Sequence, residues 1–273
     1  MPIIPVRMGF KDLVSGCVPE DLLPLLTGHY TVIGTVAVIA IPRLLEDYKF
    51  TIAKAILSHR HSVQTVLNKT APVNGSSRTA RYEILAGKDT VTTCREYGIE
   101  YELDILSSFF NPRLSTERRR VAGMVRPGEL VLVPFAGVGP FVVPAARRGA
   151  RVVAVEQNPD AFRWLCNNIC GNCVEGRVTP IEGDAFDPSH LQDTIFDRVI
   201  IPTPYGMDSI LGVLAPHVKP GGMIHFYTFH NKREIAVLED LFGRTGYEVL
   251  RVRKCGNVAP AVARWVFDLK RVG

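Results

Sequence analysis

The sequence predicts an α/β fold, a mostly parallel sheet with helices on both faces, preceded by a small α+β unit. Three observations predict it. From residue 129 onward, apolar β-rich runs alternate with stretches of helical spacing, the pattern of strands joined by crossover helices. One repeat of that pattern, residues 129–159, holds the glycine turn Gly137-Val138-Gly139 between an apolar run at 130–133 and a second at 152–155 that stops at Glu156. The last two apolar runs, 248–254 and 264–270, share one short connection, which gives an antiparallel hairpin at the sheet edge.

Taken in order, residues 1–29 read as an irregular lead and a short helix opened by Pro19, with Leu22, Leu23, Leu25 and Leu26 as its apolar side. Residues 30–41 are a β-rich pair with Gly34 as a bulge or tight bend, and 42–57 have helical spacing through Leu45, Tyr48, Ile52, Ala55 and Ile56. Strands are expected at 62–69 and 81–86, with a turn at 74–77 between them. A second hairpin signal at Gly87-Lys88-Asp89 leads into strands at 90–95 and 99–106. Residues 109–114 are a hinge, and Ser115 is placed to cap the helix that follows. Strands then fall at 129–134, 151–156, 178–182, 197–201 and 222–229, with helices after the first, after the second through Asn168, after the fourth near 208–214, and at 232–245. Two domains result, 1–108 and 109–273.

Composition narrows the function classes. With 273 residues, 47% of them hydrophobic, the chain can bury a large core. The formal net charge of +5 is a mild basic excess, compatible with a polyanionic partner. Arg118, Arg119 and Arg120, with Arg113 and Arg126, concentrate it ahead of the glycine turn, either as a solvated helix face or as phosphate contacts. The six cysteines show no paired framework, residues 1–10 carry prolines and an arginine where a signal peptide needs an apolar core, and 30–41 is too short to span a bilayer. A reduced, cytoplasmic setting away from membranes is expected.

The glycine turn is specific about its ligand. Gly137 and Gly139 let the backbone approach a bound molecule, and Glu156 at the end of the next strand can accept both hydroxyls of a ribose. Val142 stands where a dinucleotide fingerprint has its third glycine, which disfavours a pyrophosphate. S-adenosyl-L-methionine, with a ribose and no phosphate, fits better. Cys166, Cys170 and Cys173 have the spacing of an iron–sulfur cluster, but the first two continue a helix, where packing is the plainer reading. His225 lies in an apolar strand as a hydrogen-bonded core imidazole, and no metal site is expected.

Three segments carry a family resemblance: residues 110–118, Phe110-Asn-Pro-Arg-Leu-Ser-Thr-Glu-Arg; 135–141, Phe135-Ala-Gly-Val-Gly-Pro-Phe; and Glu156-Gln-Asn-Pro159. They resemble the archaeal and eukaryotic tRNA (guanine-N1)-methyltransferases and the related wybutosine-pathway aminocarboxypropyl transferases. The likeness extends through Val32-Ile-Gly34, Arg78-Thr-Ala-Arg81, Ile224-His-Phe-Tyr227 and Ala259-Pro260. The Arg-Leu-Ser-Thr-Glu run, and the Pro-Phe after the second glycine, look like the methyltransferase branch.

The resemblance implies a Rossmann-like class I methyltransferase sheet behind a small RNA-facing domain, S-adenosyl-L-methionine as cofactor and tRNA as partner, with the oligomeric state left open. It implies cofactor contacts from Arg118, Phe135, Ala136, Gly137, Gly139, Glu156, Gln157 and Pro202. Asp184 is expected near the adenine amino group, with the Ala185 N–H on a ring nitrogen. Glu117 becomes the acceptor of the guanine N1 proton, with Arg78 or Arg113 steadying charge on the base oxygen; the competing reading makes Glu117 a first-turn acid favoured by the helix dipole. Pro204 and Tyr205 fall on the substrate side, Tyr205 either stacking on a base or belonging to a stiff proline loop. Three departures stand out. Val133 replaces an aspartate, Pro202-Thr203-Pro204-Tyr205 replaces an Asn-Leu-Pro loop, and the leading domain that grips the tRNA elbow is expected to be absent. Besides methyl transfer, aminocarboxypropyl transfer and a cofactor-binding RNA module with altered catalysis remain open.

Overall fold

The computed structural model describes residues 10–26, 29–71 and 80–273. The chain divides into two compact units, one running to Arg95 and including Glu102–Ser108, the other formed by Glu96–Tyr101 and Phe109–Gly273.

The first unit opens with helix α1 (Phe10–Val14) and contains β1 (Thr31–Ile33), β2 (Val36–Ile39), α2 (Lys49–His59), β3 (Thr65–Lys69) and β4 (Tyr82–Ala86). Its four strands lie in chain order, with β2 and β3 parallel and the flanking pairs antiparallel. Ile52, Ala53 and Ile56 of α2 close its core against Val14, Leu26, Ala37, Ile39 and Val66. The bend expected at Gly34 is present: its φ is +55°, and a Cβ there would lie 2.1 Å from Thr92 Oγ1. The helix expected to start at Pro19 is not. The leucines form only a 3-10 turn, Leu23–Leu25, because Pro24 in their midst lacks an N–H and collides with a preceding helical turn. The predicted turn at 74–77 and Arg78 lie outside the described residues.

Strands β5 (Val91–Glu96) and β6 (Ile99–Asp104) form a separate hairpin. Gly87-Lys88-Asp89 therefore joins strands of different sheets, contrary to the hairpin expected there. The tight turn is Tyr97-Gly98, where both residues have positive φ, +49° and +79°, the combination that matches strand twist in a two-residue loop.

The second unit carries α3 (Ser115–Met124), β7 (Leu130–Pro134), α4 (Val142–Arg147), β8 (Arg151–Glu156), α5 (Pro159–Gly171), β9 (Val178–Glu182), β10 (Phe196–Ile201), α6 (Ile210–Leu214), β11 (Val218–His230), α7 (Ile235–Arg244), β12 (Tyr247–Ala259) and β13 (Val262–Arg271). The sheet order is β12-β13-β11-β10-β7-β8-β9, parallel from β11 through β9, with β13 antiparallel to both neighbours. The expected edge hairpin is thus β12–β13. Alternate residues divide the two faces: Ile224, Phe226, Phe267 and Leu269 pack with Ile210, Leu214 and Phe242 of the helices α6 and α7. His225, Tyr227, Arg264 and Asp268 point to the other face. Ser115 does not cap α3. The chain enters through a 3-10 turn, Pro112–Leu114, whose Arg113 N–H is taken by the Asn111 side chain at 3.1 Å, so α3 begins one turn already wound. Among the described residues, no helix is long and apolar enough to cross a membrane.

Candidate active site

Strand order reverses between β7 and β10, which opens a crevice beyond the carboxyl ends of the parallel strands. The turn after β7 is wound tightly into it, with φ of +54° at Phe135, +56° at Gly137 and +92° at Gly139. The two glycines serve different ends. A Cβ on Gly139 would come within 2.9 Å of Leu165 Cδ1 on α5, so this glycine permits close packing of helix and turn. A Cβ on Gly137 would meet nothing within 4 Å, so this residue faces open space that a ligand can approach.

Glu156 ends β8 and is oriented from two sides: Gly137 N–H donates to Oε2 at 2.7 Å and Asn158 N–H to Oε1 at 2.9 Å. Asn158 in turn caps α5 through Asp160 N–H at 3.0 Å. The carboxylate is thereby fixed beside the open flank of the turn, as an acceptor for vicinal hydroxyls must be. Ala136 is buried, held by its N–H to Val155 at 2.9 Å, and Gln157 is exposed. After β9, Asp184 is exposed and accepts the Phe186 N–H at 2.9 Å, while Ala185 is buried. The Phe135 and Phe186 rings meet edge to face at 6.1 Å, an apolar flank to the same crevice. These residues suit an adenosine. Val133 is fully buried in β7.

Beyond β10, Pro202 is half-buried, Thr203 and Pro204 are buried, and Tyr205 is 72% exposed with its ring 5.5 Å from Phe229. Tyr205 is the member of this loop that presents a surface.

Glu117 lies in the first turn of α3 and is buried there. Tyr227 O–H donates to its Oε1 at 2.9 Å, and Arg120 grips both oxygens, Nη2 to Oε1 at 2.6 Å and Nε to Oε2 at 2.9 Å. Tyr227 ties this cluster to the glycine turn, since its ring lies 5.4 Å from that of Phe141. Burial, and then the neighbouring Glu117, push the Tyr227 phenol well above its ordinary range, so it stays a donor.

The cluster continues through the sheet. Arg120 also donates to Asp268, Nη1 to Oδ2 at 2.6 Å, and His225 Nδ1 lies 2.6 Å from Asp268 Oδ1. His225 Nε2 is 2.7 Å from Arg198 Nη1, and Arg198 pairs with Glu129 at 2.8 Å. The partners assign the tautomer. Arginine only donates and carboxylate only accepts, so Nδ1 carries the proton and Nε2 accepts. Burial holds His225 below the usual imidazole value, against the pull of Asp268. Burial works to raise Asp268, but His225 and Arg120 outweigh it and hold the carboxyl at about 2.

Of the cations expected near Glu117, Arg113 is exposed on the 3-10 turn. Arg118, expected at the cofactor, is buried and bound to the Glu96 carboxylate and, at 3.0 Å, to the Asn111 carbonyl. The cation bound to Glu117 is Arg120. Sequence spacing does not single out Arg120, Asp268 and Tyr227, because only tertiary pairing brings β11 and β13 against α3; the one sequence signal is a lone Asp inside an apolar strand. Cys166 and Cys170 lie on α5 and Cys173 just past it, all free thiols, and no metal-holding group of His, Cys, Asp or Glu occurs among the described residues.

Comparison with known proteins finds relatives of one family. The profile of the TRM5/TYW2 methyltransferase domain matches residues 92–250, and that of the TYW2 N-terminal domain matches 10–90. The tRNA (guanine(37)-N(1))-methyltransferase Trm5b of Pyrococcus abyssi is 36% identical over 96% of this chain and 79% of its own. The tRNA(Phe) (4-demethylwyosine(37)-C(7)) aminocarboxypropyltransferase of Pyrococcus horikoshii is 31% identical over 97% of both. The crystal structure of Pyrococcus horikoshii TYW2 in complex with MeSAdo superposes with a TM-score of 0.77 at 30% identity, over 96% of this chain and 97% of that one.

Proposed function

The chain belongs to the TRM5/TYW2 methyltransferase family, and on that premise we propose that it transfers the methyl group of S-adenosyl-L-methionine to N1 of a guanine beside the anticodon of tRNA. It is an S-adenosylmethionine-dependent tRNA-modifying enzyme. The cofactor's ribose goes to Glu156, its adenine to Asp184, Ala185 and the Phe135 flank, and its remaining contacts to Ala136, Gly137, Gly139, Gln157 and Pro202. Bound there, it supplies an electrophilic methyl on a positively charged sulfur, so that the N1–carbon bond forms as the carbon–sulfur bond breaks.

The observation that carries the methyl reading is the Glu117 cluster. Guanine N1 must lose a proton when it gains the methyl, and a buried carboxylate oriented by Arg120 and Tyr227 is a group built to take it. Tyr205 stacks on the extruded base, with Pro204 buttressing the loop, and we assign to Arg113 or Arg78 the charge that develops on the base oxygen. We assign RNA contacts to residues 1–108 and the chemistry to 109–273. We assign the enzyme to the cytoplasm, a compartment that holds tRNA.

Incubation with methyl-labelled cofactor and unmodified tRNA transcripts, followed by nucleoside mass analysis, tests this. Methyl on guanine N1 is expected, and RNA that stays unlabelled overturns it. One observation favours a second reading, aminocarboxypropyl transfer to a tricyclic base: residues 10–90 match the TYW2 N-terminal domain. The same mass analysis on tRNA carrying the tricyclic base separates the two.

A further inference from the structure

We propose that Arg264 is the cationic part of an oxyanion subsite on the substrate side of the crevice, and that its ligand is a phosphodiester oxygen of the RNA next to the target nucleotide. The inference rests on the tRNA-modifying reading. Arg264 on β13 is only 9% exposed, yet its guanidinium makes no hydrogen bond or ion pair to any described residue. The other inward arginines of this unit all have acceptors: Arg118 has Glu96, Arg120 has Glu117 and Asp268, Arg198 has Glu129, and Arg271 has the carbonyls of Ala215 and Val218. A cation held largely out of water without an anion is disfavoured, and a partner still to come accounts for it. Burial weakens its hold on the proton, and the groups that bear on it, Cys255, Tyr227 and Arg118, include no carboxylate.

The surroundings identify the partner. The Arg264 guanidinium lies 4.9 Å over the Phe229 ring, and Phe229 in turn contacts the exposed Tyr205. A chain of two contacts, guanidinium over ring and then ring against ring tilted at 57°, therefore runs from the buried cation to the surface of the loop after β10. An aromatic plane beside a guanidinium is what an unstacked nucleotide uses, the base lying on the ring and the phosphate on the fork. The cofactor's carboxylate is the other source of an oxyanion. Its proposed residues, however, lie on the turns after β7, β8, β9 and β10 and none is on β13, which is separated from β7 by β11 and β10.

The test compares wild type with Arg264→Met and Arg264→Lys in tRNA binding at several salt concentrations, in KM for tRNA, in calorimetric binding of S-adenosyl-L-homocysteine and in thermal melting. Arg264→Met is expected to weaken RNA binding and raise KM about ten- to a hundredfold. It should also lower the log–log salt slope by about one. Cofactor-product affinity should not change, melting should stay level or rise because an unpaired charge is gone, and lysine should restore part of the affinity. Unchanged RNA affinity and salt slope overturn the proposal. So does weakened binding of S-adenosyl-L-homocysteine with RNA affinity intact, which would give the subsite to the cofactor. Wild-type enzyme that modifies no tRNA defeats the functional reading instead, a result distinct from a methionine variant that behaves as wild type.

Discussion

Glu117 and Asp268 share one guanidinium, and that sharing decides how the proposed base behaves. Arg120 bonds both carboxylates, while Tyr227 adds a donor to Glu117 and His225 one to Asp268. Glu117→Gln keeps the shape and removes the proton acceptor. Single-turnover transfer to tRNA should fall about 10²–10⁴-fold with cofactor affinity unchanged; a rate within tenfold of wild type takes Glu117 out of the chemistry. Asp268→Asn deprives Arg120 and His225 of a buried anion, and urea unfolding should show a loss of about 3 kcal/mol. Acid acts on the same cluster. Asp268 is held down at about 2, so its contribution is present above the ordinary carboxylate value and is lost as pH falls from about 4 toward 2. Burial keeps His225 neutral, so its contribution is present above about 6.5 and fades as the unfolded chain takes up a proton the fold refuses. Stability at pH 5 should therefore lie below that at pH 7.5, and the gap should narrow in His225→Asn. An equal gap in that variant assigns the acid sensitivity elsewhere.

At the scale of elements, the turn between β7 and α4 joins cofactor binding to packing. Gly139 has φ of +92° and sits where a Cβ would press on Leu165 of α5, so Gly139→Ala should cost about 1–3 kcal/mol in denaturant unfolding. A neutral result would mean that α5 yields. This turn was legible because its glycines interrupt two apolar runs at fixed spacing, as was the strand–helix alternation behind it. Elements failed to read where a local cue competed with a tertiary one. Proline 24 outweighed the four leucines around it, and Asn111 took the capping role assigned to Ser115 by bonding one 3-10 turn earlier. Tyr97-Gly98 hid a tight hairpin because tyrosine seldom marks a position with positive φ.

Across the whole molecule, the legible half of the site is the half made by consecutive residues. Glu156, Gly137 and Gly139 lie within one strand–turn–strand unit, so spacing alone placed them together. Glu117, Tyr227, Asp268 and Arg264 come from α3, β11 and β13, which only the reversal of the last hairpin brings onto one face. Arg118, Arg119 and Arg120 likewise look alike in the chain, yet one pairs with Glu96, one lies over Tyr97 and one holds Glu117. The division has a thermodynamic consequence. A ligand that binds only the folded form stabilises by mass action, so S-adenosyl-L-homocysteine at about a hundred times its Kd should add about 2.7 kcal/mol to unfolding. Because the proposed contacts all lie in the second unit, hydrogen exchange should slow in residues 129–159 and in the loops following β9 and β10, while β1 to β4 keep their unliganded rates. Added protection concentrated in β1 to β4 would move the cofactor out of this crevice, and with it the assignment of Glu156 to the ribose.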